Sequence, residues 1–424
     1  MPSSVPRPSA SARPAVDKPS PDGWDLIVIG GGAAGFFGAL SFAATRQDKQ
    51  ARTLILEKSP RTLAKVAVSG GGRCNVTHHC FEPRELVKHY PRGGRALIGA
   101  FTRWQPRDTV DWFEARGVRL KTEDDGRMFP LTDHSQTIID CLEGEARRLG
   151  VEVRTGCGAE RLEQTGGGFA VHTPAGILHA ARVLVASGGT RSGETLASAL
   201  GHVIIPPAPS LFSFHIRNPL LEGLAGLSMA RVAASVPETG LRQQGALLVT
   251  HNGLSGPAIL RLSAWGARWM QEQNYHFPVK IDWLPDHGPD ALAERFRQVR
   301  AEWNRKQVGT LSPFPEIPQR LWERLAACSL NWSEWSRESE KILTDRLKQT
   351  TLSVAGKSMN KEEFVTAGGV DLAGVDLRTM ESRTVPGLYF AGEALDIDGV
   401  TGGFNFQAAW TTGYLAGTAA ARAG

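Results

Sequence analysis

The first sustained apolar run in the chain is WDLIVI, residues 24–29, which reads as a buried parallel strand. It runs straight into Gly30-Gly31-Gly32-Ala33-Ala34-Gly35, and FFGALSFAATR then carries apolar residues at helical spacing. A second strand, Thr53–Leu56, ends at Glu57. The far end of the chain repeats the logic. GLYF (387–390) reads as a strand running into Gly392-Glu393, and Thr401-Gly402-Gly403 precedes an apolar helix that begins near Phe404-Asn405. Strand, glycine turn and helix start thus occur twice, near opposite termini.

Between these ends the periodicity changes. DTVDWFEARG and HSQTIIDCLEGEARRLG read as helices around a short VRLK strand. VEVRTG and AERLEQTGGGFAVHTPAGILHA alternate around glycine turns, which predicts a β-meander. Arg182–Ala186 reads as another buried strand, delivering Ser187-Gly188-Gly189 to the same side as the first glycine turn. Prolines at 206, 207 and 209 mark a boundary. Beyond it, strand-like pieces at 228–236, 245–250 and 276–283 surround a helix at 255–272, and three helical stretches follow. The pattern predicts an α/β protein with a three-layer Rossmann-like domain from 23–200 and 360–424. A β-rich and helical domain is inserted at 201–359, and a disordered tail occupies 1–22.

Composition narrows the class. With 41% apolar and 21% charged residues the chain reads as soluble and globular. No apolar run approaches the roughly 20 residues needed to span a bilayer. The tail is Pro/Ser/Ala-rich without the apolar segment of a secretory signal. The formal net charge of +5 is mild for 424 residues, and no dense Lys/Arg run asks for nucleic acid. Five scattered cysteines argue for a reducing, cytoplasmic setting rather than a disulfide framework. Seven of the eleven tryptophans lie between 265 and 335, a density that suits a small core. The chain carries no signal for an oligomeric state.

The first glycine turn fits G-x-G-x-x-G in its required context. Gly30 permits the tight turn, Gly32 lets a pyrophosphate approach, and Gly35 lets the helix pack closely. The helix start at Ala33-Ala34 offers free N–H groups to an anion. Glu57, 22 residues past Gly35, is placed to accept from a ribose, with Lys58 and Lys65 nearby. These features predict a dinucleotide site and leave NAD and FAD open; the alternative is a glycine turn that binds nothing. The second helix start, with Gly392, Glu393, Gly402, Gly403, Phe404 and Asn405, suits a flavin, because its positive end favours the charge that develops at N1 on reduction.

SGGGRCNVTHHC (69–80) admits three readings. As a cofactor loop, Gly70, Gly71 and Gly72 expose consecutive N–H groups, Arg73 adds a charge-assisted bond, and Asn75 offers a donor and an acceptor. As a redox pair, Cys74 and Cys80 must meet across a C-x5-C spacing. As a metal site, Cys74, His78, His79 and Cys80 must converge. The first reading is preferred, with Cys74 a small buried residue under the cofactor.

These segments, with ASGG (186–189), HNGLSGPAIL (251–260) and TAGGV (366–370), resemble the HI0933-like family of FAD-dependent oxidoreductases across residues 26 to about 417. The shorter central region suggests a divergent subgroup. The resemblance implies FAD in a glutathione-reductase-like Rossmann domain, with the SGGGRCN segment and Gly188 beside it. It also implies that the 251–257 turn faces the flavin, where His251 is the candidate proton-transfer residue and Ser255 reads alternatively as a helix cap. The expected activity is oxidoreduction of a small molecule, with NAD(P)H or oxygen as the flavin's other partner. An FAD-dependent RNA-modifying enzyme and a non-catalytic flavin-binding regulator are the competing readings.

Overall fold

The computed structural model describes residues 23–46, 51–358 and 365–423. The expected tail lies outside them. Strand β1 (Trp24–Ile29) is central to a nine-stranded sheet. Leu26, Ile27 and Val28 are fully buried, and each contributes about 1.5–3 kcal/mol by leaving water. β1 pairs in parallel with β2 (Thr53–Leu56) on one side and with Gly176–Val185 on the other. Glu152–Arg154 extends the sheet beyond β2, and Leu388–Phe390 extends it beyond 176–185, again in parallel. The last of these strands comes from the far end of the chain.

The strand Gly176–Val185 serves two structures. Its first half closes an antiparallel meander with Arg161–Thr165 and Gly168–Thr173, while its second half lies in the parallel sheet. Helix α1 (Ala33–Thr45) is buried along its whole 34–42 stretch, because it lies between the sheet and the C-terminal helix Phe404–Arg422. An all-round apolar helix is the composition such a position requires. The two helices approach closely at glycines: a Cβ on Gly417 would lie 2.1 Å from the carbonyl oxygen of Gly38.

Residues 213–358 build a second, antiparallel seven-stranded sheet with its own core. Trp283, Trp322 and Trp332 are fully buried there, so these indoles anchor a core. The helix Pro257–Glu272 packs on this sheet and on Ile204–Ser210, which pairs antiparallel with Val365–Val370.

That helix is tied to the first sheet's side by charge. The Arg92 guanidinium makes a bidentate ion pair with Asp398, which is fully buried, and donates to the carbonyl oxygen of Ala264 at 2.7 Å. Ser210 Oγ donates to Asp398 at 2.8 Å. Arg268 donates to both carboxylate oxygens of Asp396 at 2.8 Å.

Candidate cofactor site

A cavity of about 520 Å³ opens at the carboxyl ends of β1, β2, Gly176–Val185 and Leu388–Phe390. Connections leave β1 and its neighbour 176–185 in opposite directions, so this is the crevice in which doubly wound sheets bind ligands. At its centre Gly30 has φ of +113°, and a Cβ there would lie 2.4 Å from the carbonyl oxygen of Ala186. Only glycine passes this point.

Two helix starts border the same cavity. α1 follows Gly32 and the C-terminal helix follows Gly403, and neither has a side-chain cap. Their first-turn N–H groups are therefore available to an anion or a developing negative charge. Gly32 faces open space, with no heavy atom within 4 Å of where its Cβ would be. Ser187 Oγ, also lining the cavity, is buried without a hydrogen-bond partner. Uncapped helix starts, an open glycine cradle and an unsatisfied hydroxyl fit an extended anionic dinucleotide.

Glu57 ends β2 at the cavity wall. Its carboxylate accepts from Gly31 N–H at 2.8 Å, and from the N–H and Oγ of Ser59 at 2.7 Å each. It is thereby held in one orientation, with lone pairs left for a diol. Glu57→Ala should weaken FAD binding by roughly ten- to hundredfold, given about 1.5–3 kcal/mol for hydrogen bonds to a charged group. Quenching of flavin fluorescence on titration checks this.

Lys65, from helix α2 (Ala64–Gly72), donates to Glu393 at 2.6 Å, joining positions near opposite chain ends at the cavity edge. The amide of Asn75 accepts from Gly403 N–H at 2.9 Å and donates to the carbonyl of Thr77 at 3.0 Å. Asn405 locks the preceding loop through Gly399, at 2.8 and 2.9 Å. A buried network sets the helix behind it: Gln407 Oε1 accepts from Thr77 at 2.6 Å and Thr109 at 3.0 Å, and Trp410 Nε1 donates to the carbonyl of Val76 at 2.9 Å.

The cavity brings together Gly30, Gly32, Ala33, Ala34, Glu57, Lys65, Gly70, Asn75, Gly188, Gly392, Glu393, Gly402, Gly403 and Asn405. Gly35 has the close-packing role expected of it, a Cβ there falling 1.9 Å from the carbonyl oxygen of Gly30. Others expected at the cavity lie elsewhere, and Lys58 packs beside Gly158. Gly70, Gly71 and Gly72 all have positive φ, and the chain turns away after Gly70, so Gly71 and Gly72 do not line the cavity. Arg73 is engaged instead with Glu123 at 2.6 Å and stacks over Phe129 at 3.9 Å. Phe404 stacks on His78 and His89. His251 is exposed on a turn outside the cavity lining. Ser255 is not the cap of its helix: Gly256 is, the helix starts at Pro257, and Ser255 Oγ pairs with Ser213 Oγ at 2.7 Å.

The sequence reading missed Ser59, Arg61, Leu211 and Phe406, which also line the cavity. Ser59 and Arg61 follow Glu57 so closely that the strand end itself was a usable signal. Leu211 carried none, since the Ile204–Ser210 strand brings it in from the other sheet's side.

All five cysteines are free, and no His/Cys/Asp/Glu cluster suited to a metal occurs among the described residues. Cys74 is fully buried, and burial pushes its thiol up to about 12. The thiolate is the reactive form, so Cys74 should resist iodoacetamide at pH 8 in the native protein and label only after denaturation. Peptide mass spectrometry reads the difference.

The crevice and its two helix starts define a Rossmann-type flavoprotein. The HI0933-like protein Rossmann domain matches residues 24–419, and the chain belongs to this family. It is an FAD-dependent oxidoreductase, which sets aside the non-catalytic regulator. A 3-dehydro-bile acid delta(4,6)-reductase of Clostridium scindens is 31% identical over 93% of this chain and 98% of its own. A ribosomal RNA dihydrouridine synthase of Escherichia coli is 30% identical over 92% and 96%. Among solved structures, a 3-ketosteroid-delta4-(5alpha)-dehydrogenase from Rhodococcus jostii RHA1 shares the fold, with a TM-score of 0.51, 13% identity, and 98% and 99% of the two chains covered. No helix among the described residues is long and apolar enough to cross a membrane.

Proposed function

We propose that this enzyme reduces a carbon–carbon double bond conjugated to a carbonyl in a small molecule, using NAD(P)H as the reductant. The observation that carries the flavin part is the meeting of two uncapped helix starts, from opposite ends of the chain, at one cavity. The reaction part is supported by two relatives whose names denote saturation of such a bond, a 3-dehydro-bile acid delta(4,6)-reductase and a ribosomal RNA dihydrouridine synthase, and the first of them supports the small-molecule substrate. In the net reaction a hydride equivalent and a proton add across the double bond while the nicotinamide is oxidised. We assign the enzyme to the reducing cytoplasm, in keeping with five unbridged cysteines.

Bound FAD would supply two-electron, hydride-transfer chemistry at this site. The N–H groups at Gly32–Ala34 would hold its pyrophosphate, and Glu57 the adenosine ribose. The start of the C-terminal helix would favour negative charge at the flavin's N1 edge. Leu211, Val400 and Phe406 line the cavity with apolar surface and limit water there.

Anaerobic NADPH or NADH should bleach the flavin of the purified holoenzyme, and an enone should restore the colour. Absence of bleaching with either nucleotide would remove NAD(P)H from the proposal. The second reading, an RNA substrate, rests on the Escherichia coli relative. It requires steeply salt-dependent binding of ribosomal RNA, and salt-independent or absent binding would remove it.

A further inference from the structure

The helix Pro257–Glu272 presents Arg261, Ala264, Trp265 and Arg268 on one face, at i, i+3, i+4 and i+7. Two of these positions are already committed to the first sheet's side. Arg268 pairs with Asp396, and the Ala264 carbonyl accepts from Arg92. These contacts fix the helix in rotation and along its axis. Arg261, one turn toward the helix start, is half-buried, yet among the described residues it has neither an ion pair nor a hydrogen bond.

The carboxylates that act on its imidazole neighbours are paired elsewhere: Asp125, which acts on His78, with Arg127, and Glu85, which acts on His89, with Lys88. Arg261 lies close enough to His78 and His89 for its charge to act on both. Burial, with added contributions from neighbouring positive groups including Arg261, lowers both imidazoles, His89 to about 4. They are therefore neutral near pH 7 and do not compete with Arg261 for an anion. Both rings stack on Phe404, at 4.6 and 4.2 Å between centroids. The cluster adjoins the cavity's C-terminal end. His89 accepts from Val400 N–H through its carbonyl at 2.8 Å, and a Cβ on Gly402 would lie 3.5 Å from the His78 ring. Val400 and Gly402 both line the cavity. Trp265 stays 37% exposed beside this cation, an apolar surface for a planar molecule.

We propose that Arg261 is the substrate anchor, binding the carbonyl oxygen of a planar conjugated substrate beside the cavity end formed by Val400–Gly403. The proposal rests on the reductase reading above. As hydride reaches the β carbon of a conjugated carbonyl, negative charge develops on that oxygen, and a guanidinium already in place stabilises it. The exposed Trp265 suits the planar body of the molecule, and a forked cation suits its oxygen.

The test uses the FAD-loaded enzyme and benzoate, a planar conjugated carboxylate, as probe. Benzoate should perturb the flavin absorption spectrum saturably. Arg261→Gln should weaken that binding at least tenfold with an unchanged flavin-to-protein ratio, and Arg261→Lys should weaken it less. Equal affinity in Arg261→Gln, or no spectral change in the wild type, overturns the anchor. Should Arg261→Gln fail to retain FAD, phenylglyoxal labelling of the wild-type holoenzyme decides. Benzoate should slow modification of the Arg261 peptide severalfold, and unaltered labelling overturns the anchor. The two proposals fail separately. Arg261-dependent benzoate binding without reoxidation by 2-cyclohexen-1-one, uracil or a 3-keto-Δ4 steroid removes the reductase reading and leaves the anchor. Equal enone turnover in Arg261→Gln and wild type removes the anchor and leaves the reaction.

Discussion

Gly30→Val should yield a protein without bound flavin. The backbone at Gly30 has φ of +113°, which a β-branched residue does not adopt without strain of about 1–3 kcal/mol. The new Cβ would also meet the Ala186 carbonyl oxygen at 2.4 Å and its carbon at 2.7 Å. Both are main-chain atoms at the end of an adjoining strand, so neither can rotate away. The turn must open, and the start of α1 moves with it. The expected result is loss of the flavin absorbance, with a lowered thermal midpoint. Gly32→Ala provides the contrast. Its φ is −91° and no atom lies within 4 Å of the added methyl. That variant should keep the wild-type thermal midpoint without added FAD but bind FAD more weakly, because its methyl projects into open space at the proposed pyrophosphate cradle. Flavin-to-protein ratios and thermal melts of the two variants separate a broken turn from a blocked site.

Asp398→Ala should cost about 3–5 kcal/mol, the effect of leaving a buried charge without its partner. Arg92 would retain its guanidinium at a side chain only 11% exposed, facing Ala264 and Ser210 but no carboxylate. In the native protein burial raises Asp398 above the ordinary carboxylate range, with Arg92 opposing that rise. The double variant Arg92→Met/Asp398→Leu removes both charges and should recover much of the loss. Chemical denaturation of the three proteins measures it. Because Asp398 lies two residues from Val400 in the cavity wall, Asp398→Ala should also release FAD more readily than the double variant.

The parallel core and both helix starts were legible in the sequence because each depends on local rules. A continuous apolar run makes a doubly buried strand, and glycines at fixed spacing make the turn that follows it. The meander was legible from alternation and glycine turns. What the sequence could not convey is direction after a flexible turn. Gly70, Gly71 and Gly72 looked like a continuous nest, yet their positive φ values send Arg73 away to Glu123 and Phe129. Nor does sequence separation show that Leu211 reaches the cavity or that His251 stays out of its lining. Both depend on how the second sheet is oriented by the ion pairs of Arg92 and Arg268, which join residues more than a hundred positions apart.

The pairing of α1 with the Phe404–Arg422 helix has a consequence for biosynthesis. The two halves of the candidate cradle are translated about 370 residues apart, at Gly30–Gly35 and at Gly402–Asn405, and the Gly38–Gly417 contact closes only when both have emerged from the ribosome. A nascent chain stalled before residue 404 carries a glycine turn with no opposing helix. A truncation that removes the Phe404–Arg422 helix should therefore abolish tight FAD binding even with the first glycine turn intact.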